Sequence, residues 1–119
     1  MPDVMIISRI TVMYGRNPAF EQVMAQNYRF LKEQPGFRGA VLQRARNEFG
    51  VYLHYARWES LDAAAAAASQ PFSRQVIQQL PLAQPLEPEV YELVFDDNTL
   101  PDPPVEEPPP AGETVTFRF

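Results

Sequence analysis

Residues 34–60 read Gln34-Pro35-Gly36-Phe37-Arg38-Gly39-Ala40-Val41-Leu42-Gln43-Arg44-Ala45-Arg46-Asn47-Glu48-Phe49-Gly50-Val51-Tyr52-Leu53-His54-Tyr55-Ala56-Arg57-Trp58-Glu59-Ser60. Pro35-Gly36 ends whatever helix precedes it, because proline cannot continue a helix and glycine accepts the left-handed backbone of a stop. Phe37 to Arg46 and Val51 to Trp58 both read as strands, the second especially rich in Tyr and Val, residues that suit a pleated, half-buried surface. Asn47-Glu48-Phe49-Gly50 between them carries turn chemistry, so the two strands form an antiparallel hairpin. Ser60 follows as a helix cap.

Working outward, Val4 to Met13 is β-branched and apolar, and Tyr14-Gly15-Arg16-Asn17-Pro18 breaks it. Asn17 as N-cap with Pro18 at the first helical position opens a helix. Its apolar residues Phe20, Val23, Met24, Phe30 and Leu31 recur at three- and four-residue intervals. Beyond the hairpin, Ser60 caps a second helix over Leu61, Asp62 and the run Ala63 to Ala68, alanine being the strongest helix former. Pro71 interrupts it, and Phe72, Val76 and Leu80 continue an apolar stripe. Pro81, Pro85 and Pro88 make a connector to a fourth strand, Val90 to Phe95. The order β-α-β-β-α-β is the split βαβ, ferredoxin-like arrangement of the α+β class: one antiparallel sheet with two helices on one face.

The remaining chain differs in composition. Residues 1–96 form the folded body. Residues 97–112 hold Pro101, Pro103, Pro104, Pro108, Pro109 and Pro110 among acidic side chains and read as an extended linker. In residues 113–119, Val115, Phe117 and Phe119 alternate with polar neighbours in the period of a strand. This arm is expected to dock on the partner subunit of a dimer.

The 119 residues carry 10 basic and 15 acidic side chains, a net charge of −5, and no cysteine. One domain of this size is implied. The absence of cysteine excludes a disulfide framework and a cysteine nucleophile, and fits a reducing, cytoplasmic setting. His54, the single histidine, cannot build a multi-histidine metal site. Lys and Arg are too few and scattered to track a phosphate backbone, so nucleic acid is not an expected partner. No apolar stretch approaches the roughly 20 residues that span a bilayer, so neither is a membrane.

Four motifs in order and spacing carry a resemblance: Phe20-x-x-Val23-Met24, Gln34-Pro-Gly-Phe-Arg-Gly-Ala40, Tyr55-Ala-Arg-Trp-Glu-Ser60 and Pro71-Phe72. Over residues 3 to about 95 the chain resembles the antibiotic biosynthesis monooxygenase family. The resemblance implies a homodimeric α+β barrel in which two sheets pack face to face and each monomer keeps a pocket between its own sheet and helices. Known members of that family oxidise phenolic or quinol polyketides with molecular oxygen and no cofactor, or degrade haem, and many have no assigned reaction. Haem-degrading relatives use an Asn on the first strand and a His on the second helix, where this chain has Ser8 and about Val76. That departure disfavours haem. Polyketide-oxidising relatives often place Asn at the position of His54.

On the third strand Tyr52, His54, Ala56 and Trp58 share one face. In relatives the Trp of Trp-Glu-Ser lines the pocket, which puts His54 beside it. Ser8, in phase with Ile6 and Ile10, joins that face. The inward stripe of the first helix contains Met24 and one polar member, Asn27, and a buried Asn needs a hydrogen-bond partner. A phenol reacts with oxygen once deprotonated, so the site needs a base or strong donors at the phenol oxygen. The expected catalytic pair is therefore His54, as a base titrating near neutrality, and Asn27. Ser8, Trp58, Tyr52, Met24 and Phe72 are the expected substrate-binding residues, with no cofactor and no metal. Each has a plainer reading: His54 as a core histidine bonded to a backbone carbonyl, Asn27 bonded to sheet backbone, Trp58 as core filler. A non-catalytic, small-molecule-binding dimer is the alternative function. Arg57 is the candidate for an ion pair across the dimer.

Overall fold

The structure is a computed structural model and describes residues 2–105. The linker beyond residue 105 and the arm at 113–119 lie outside the described residues. The elements are β1 (Val4–Thr11), α1 (Asn17–Leu31), β2 (Phe37–Arg44), β3 (Val51–Trp58), α2 (Leu61–Ala68), α3 (Pro71–Gln79) and β4 (Glu89–Glu92). The sheet runs β2-β3-β1-β4 with every neighbouring pair antiparallel. This is the α+β, ferredoxin-like arrangement. The second helical segment is divided, because Pro71 starts α3 afresh at its first turn.

Local chemistry explains most boundaries. Ser60 is extended, and its hydroxyl accepts a hydrogen bond from the Ala63 N–H at 3.1 Å, satisfying one orphan donor of α2. Gly36 has φ +82°, and a Cβ there would lie 2.7 Å from the Ala63 Cβ. Glycine thus lets the α1–β2 turn press against α2.

Asn17 departs from its expected capping role. Arg16 is the N-cap residue, without a side-chain capping bond, and the Phe20 N–H closes on the Arg16 carbonyl at 2.9 Å. Asn17 is already inside the first turn. Its Oδ1 is buried beside Gly50 and has no hydrogen-bond partner. The fourth strand is shorter and earlier than expected, Glu89–Glu92 rather than Val90 to Phe95, and all four of its residues are exposed.

The core divides into two clusters under the helices. Phe20, Met24, Ile10, Val12 and Tyr52 make one, and Leu31, Ala56, Trp58, Ala64 and Ala67 make the other. Phe20 and Tyr52 stack at 4.7 Å between centroids. The opposite face of the sheet leaves Leu53 39%, Val41 37% and Tyr91 49% exposed, whereas Val51 is already buried within the chain. Arg57 on that face does not wait for a partner subunit. Its Nε donates to Asp3 Oδ2 at 2.7 Å and its Nη1 to Asp96 Oδ2 at 3.0 Å. Both carboxylates reach it because β3 pairs with β1, whose start follows Asp3, and β4 on the other side of β1 leads to Asp96.

Candidate functional site

Between the two core clusters lies a cavity of about 210 Å³. Its floor is the helix-facing side of the sheet, with Ile6, Ser8 and Ile10 from β1 and His54, Ala56 and Trp58 from β3. These fall on one face because side chains alternate along a strand. The pairing register sets Ser8 directly opposite His54, Ile6 opposite Ala56 and Val4 opposite Trp58. The polar pair and the indole are therefore separated along β3 by one small residue of their face, Ala56. Helix α1 contributes Met24, Asn27 and Leu31, spaced by three and four residues.

The roof exists because of what α2 lacks. Ala64, Ala67 and Ala68 line the cavity, with Val76 and Ile77 of α3 beside them. Side chains that stop at Cβ leave a void where leucines would fill it. Ser73 is buried, and its hydroxyl donates to the Ala67 carbonyl at 2.8 Å, holding α3 against the end of α2. Leu80, Leu86 and Pro88 complete the wall from the connector to β4.

His54 has a partner that sequence reasoning did not assign. The Tyr28 hydroxyl lies 2.6 Å from His54 Nδ1, with the two rings 5.4 Å apart and tilted by 40°. The imidazole is thus bonded to a phenol rather than to a backbone carbonyl. Burial lowers the His54 pKa to about 4, so the ring is neutral at physiological pH instead of titrating near neutrality. Burial, with a smaller contribution from Tyr55, raises the Tyr28 pKa, so that phenol keeps its proton. Among the described residues Asn17 Oδ1 is the one buried side-chain polar atom without a partner. His54 lines the cavity and its Nδ1 is committed to Tyr28, which leaves Nε2 as the ring nitrogen available to a ligand. Ser8, 5% exposed, and the half-buried Asn27 present the other polar groups of the lining floor and wall.

The structure brings together Ser8, Met24, Asn27, His54 and Trp58, and leaves two expected residues outside. Tyr52 shares the face of His54 but sits two residues, or roughly 6.6 Å, nearer the hairpin. There Phe20 covers it and its hydroxyl donates to Glu21 at 2.5 Å. Phe72 is at the surface of α3, stacked on Phe30 at 4.8 Å, and fastens α3 to α1. No local pattern marks Tyr28, which is one residue past Asn27 and reaches His54 only through helix–sheet packing. The alanines could have been found from the lack of any large side chain on the inward face of α2.

Among the described residues no group of three or more His, Asp or Glu could hold a metal ion, and no helix is long and apolar enough to cross a membrane.

The sequence pattern of the family described as antibiotic biosynthesis monooxygenase matches residues 3–79. No curated protein matches the chain. Among solved structures, the chain is similar to SnoaB from Streptomyces nogalater, described as a cofactor-independent oxygenase. That similarity is 30% identity over 86% of this chain and 100% of the other, with a TM-score of 0.68. A Caulobacter crescentus protein assigned to the same family is 20% identical over 79% of this chain and 92% of its own, with a TM-score of 0.74, a likeness of fold alone.

Proposed function

Because the chain belongs to the antibiotic biosynthesis monooxygenase family, we propose that its chamber takes a small aromatic phenol or quinol and oxidises it with molecular oxygen, without a cofactor. The observation that carries this reading is a mostly apolar cavity, lined by Trp58, in which Ser8 and His54 stand opposite each other on paired strands and Asn27 of α1 belongs to the same lining. Such a pocket, apolar with a few convergent polar groups, orients one polar end of an apolar ligand. The likeness to SnoaB, described as a cofactor-independent oxygenase, supports the oxygenase part of this reading. At about 210 Å³ the cavity exceeds the roughly 150 Å³ that admits benzene in an engineered protein cavity. It is below the roughly 300 Å³ at which drug-sized pockets begin, so one or two fused rings suit it.

The chemistry follows from these residues. The phenol oxygen sits at the polar group, where His54 Nε2 accepts its proton and Asn27 and Ser8 hydrogen-bond the oxygen. The electron-rich ring stacks on Trp58. The phenolate gives one electron to oxygen, and the resulting radical and superoxide combine to form a carbon–oxygen bond at the ring position para to the phenol oxygen. Loss of water, made from the distal oxygen, the ring hydrogen and the phenol proton, leaves a quinone. One oxygen atom enters the product and the other leaves as water, so the substrate supplies all four electrons.

One observation favours a second reading, a non-catalytic binding protein. The burial that makes His54 neutral also makes it a weak base. Trp58, the single tryptophan, reports occupancy directly. Dihydroxynaphthalene should quench its fluorescence saturably, and an unresponsive Trp58 at millimolar ligand would remove the chamber as a ligand site under either reading.

The proposal includes a homodimer. The apolar sheet face around Leu53, Val41 and Tyr91 is the surface a second copy would cover, in an isologous pair. Light scattering should give a dimer for the natural sequence and a shift towards monomer for Leu53→Lys. A monomer for the natural sequence at micromolar concentration would take the dimer out of the account.

A further inference from the structure

We propose that Tyr28 is a positioning residue that lets His54 change tautomer, so that one site recognises both a hydroxyl donor and a carbonyl acceptor. The inference rests on the reading of the chamber as a site for phenols and their oxidised products. Its basis is the 2.6 Å contact between the Tyr28 hydroxyl and Nδ1 of His54, a residue that lines the cavity and is left with Nε2 for a ligand.

A neutral imidazole carries one proton, and its two nitrogens then have opposite roles. A phenol hydroxyl is both donor and acceptor, so Tyr28 can satisfy Nδ1 in either state. When a phenol occupies the chamber, its O–H donates to a bare Nε2, the ring proton is on Nδ1, and that N–H donates to Tyr28 Oη. When a quinone occupies it, Nε2–H donates to the carbonyl and the Tyr28 O–H donates to bare Nδ1. The ring holds one proton in both states, and no buried nitrogen is left without a partner. Fixed backbone partners could not do this: a carbonyl would lock Nδ1–H and an N–H would lock bare Nδ1. Ser8 and Leu42, directly opposite His54 on the two neighbouring strands, carry no charge that would impose one tautomer.

Tyr28→Phe removes the adaptable partner. The phenol-bound state then leaves a buried Nδ1–H donor unpaired, whereas the quinone-bound state leaves only a bare lone pair, which is the better tolerated of the two. Affinity for naphthol should fall about tenfold while affinity for naphthoquinone changes less than about twofold. The chain has one histidine, so nitrogen NMR of protein carrying isotope-labelled histidine reports this imidazole alone, and it has no cysteine for a quinone to alkylate. In the natural sequence, naphthol should place the ring proton on Nδ1 and naphthoquinone should place it on Nε2. The same tautomer with both probes, or no response to either, would overturn the inference. Should Tyr28→Phe fail to fold, the two spectra of the natural protein still decide. With oxygen excluded neither measurement involves turnover, so a tautomer change there, with no oxygen consumed when air is admitted, would retain this inference and reject the oxygenase reading.

Discussion

Replacing His54 with alanine is expected to slow oxygen consumption with a phenolic substrate by about 100-fold or more, the usual worth of a positioned general base. The loss should fall mainly on kcat, because Trp58 and the apolar walls that hold the ring remain in place. A substrate supplied already ionised should recover part of the rate, since the proton that His54 takes is then absent. His54 is neutral well above its pKa of about 4, so it adds no rise in rate across the neutral range. Any rise there belongs to the ionisation of the phenol itself. Equal rates for the natural protein and a folded His54→Ala on a panel of phenols would remove His54 from the chemistry and shift weight to Asn27, Ser8 or simple binding.

The second large effect is on stability in acid. An unfolded histidine titrates near 6.5, whereas burial lowers the folded His54 to about 4. Between these values the unfolded chain binds a proton that the folded chain refuses, so stability falls as pH drops through this window and the loss is complete near the folded value. The full difference corresponds to about 3 kcal/mol. The groups that face the ring, Tyr28 on α1, Ser8 on β1 and Leu42 on β2, are uncharged at these pH values and do not oppose the effect. Glu21, lowered by its bonds to Tyr52 and Arg44, and Asp96, lowered by Thr99 and Arg57, lose their contributions at more acid pH. Urea unfolding of the natural protein and of His54→Gln, compared across this window, isolates the histidine. The natural protein should show the extra slope and the variant should lack it. Parallel profiles would mean that the imidazole is solvated rather than buried.

Strand β3 was legible in the sequence to the residue, since Val51 to Trp58 is rich in aromatic side chains and lies between a turn glycine and a helix cap. Strand β4 was legible only as a strand. It lies at the sheet edge with every residue exposed, so burial imposes no pattern that marks its ends. Asn17 illustrates a tertiary override: it has the composition of a cap, but Arg16 takes that position and the Asn17 side chain packs beside Gly50. The shared face of Ser8, His54 and Trp58 follows from period two and needed no structure. Which members of a face reach the cavity did need it. Tyr52 and His54 have the same parity, yet one is under Phe20 and the other borders open space. The contact between Tyr28 and His54 joins residues 26 apart through helix–sheet packing, and no local pattern encodes it.

The central claim is oxygenation by the protein alone, and isotopic oxygen tests it most directly. Protein freed of metal with a chelator and given naphthol under isotopically labelled oxygen should consume the gas saturably, one molecule per molecule of substrate. Mass spectrometry should then find one labelled atom in the quinone product. Saturable quenching of Trp58 by naphthol with no oxygen consumed and the substrate recovered unchanged would contradict the claim, and would make the chamber a binding site without chemistry.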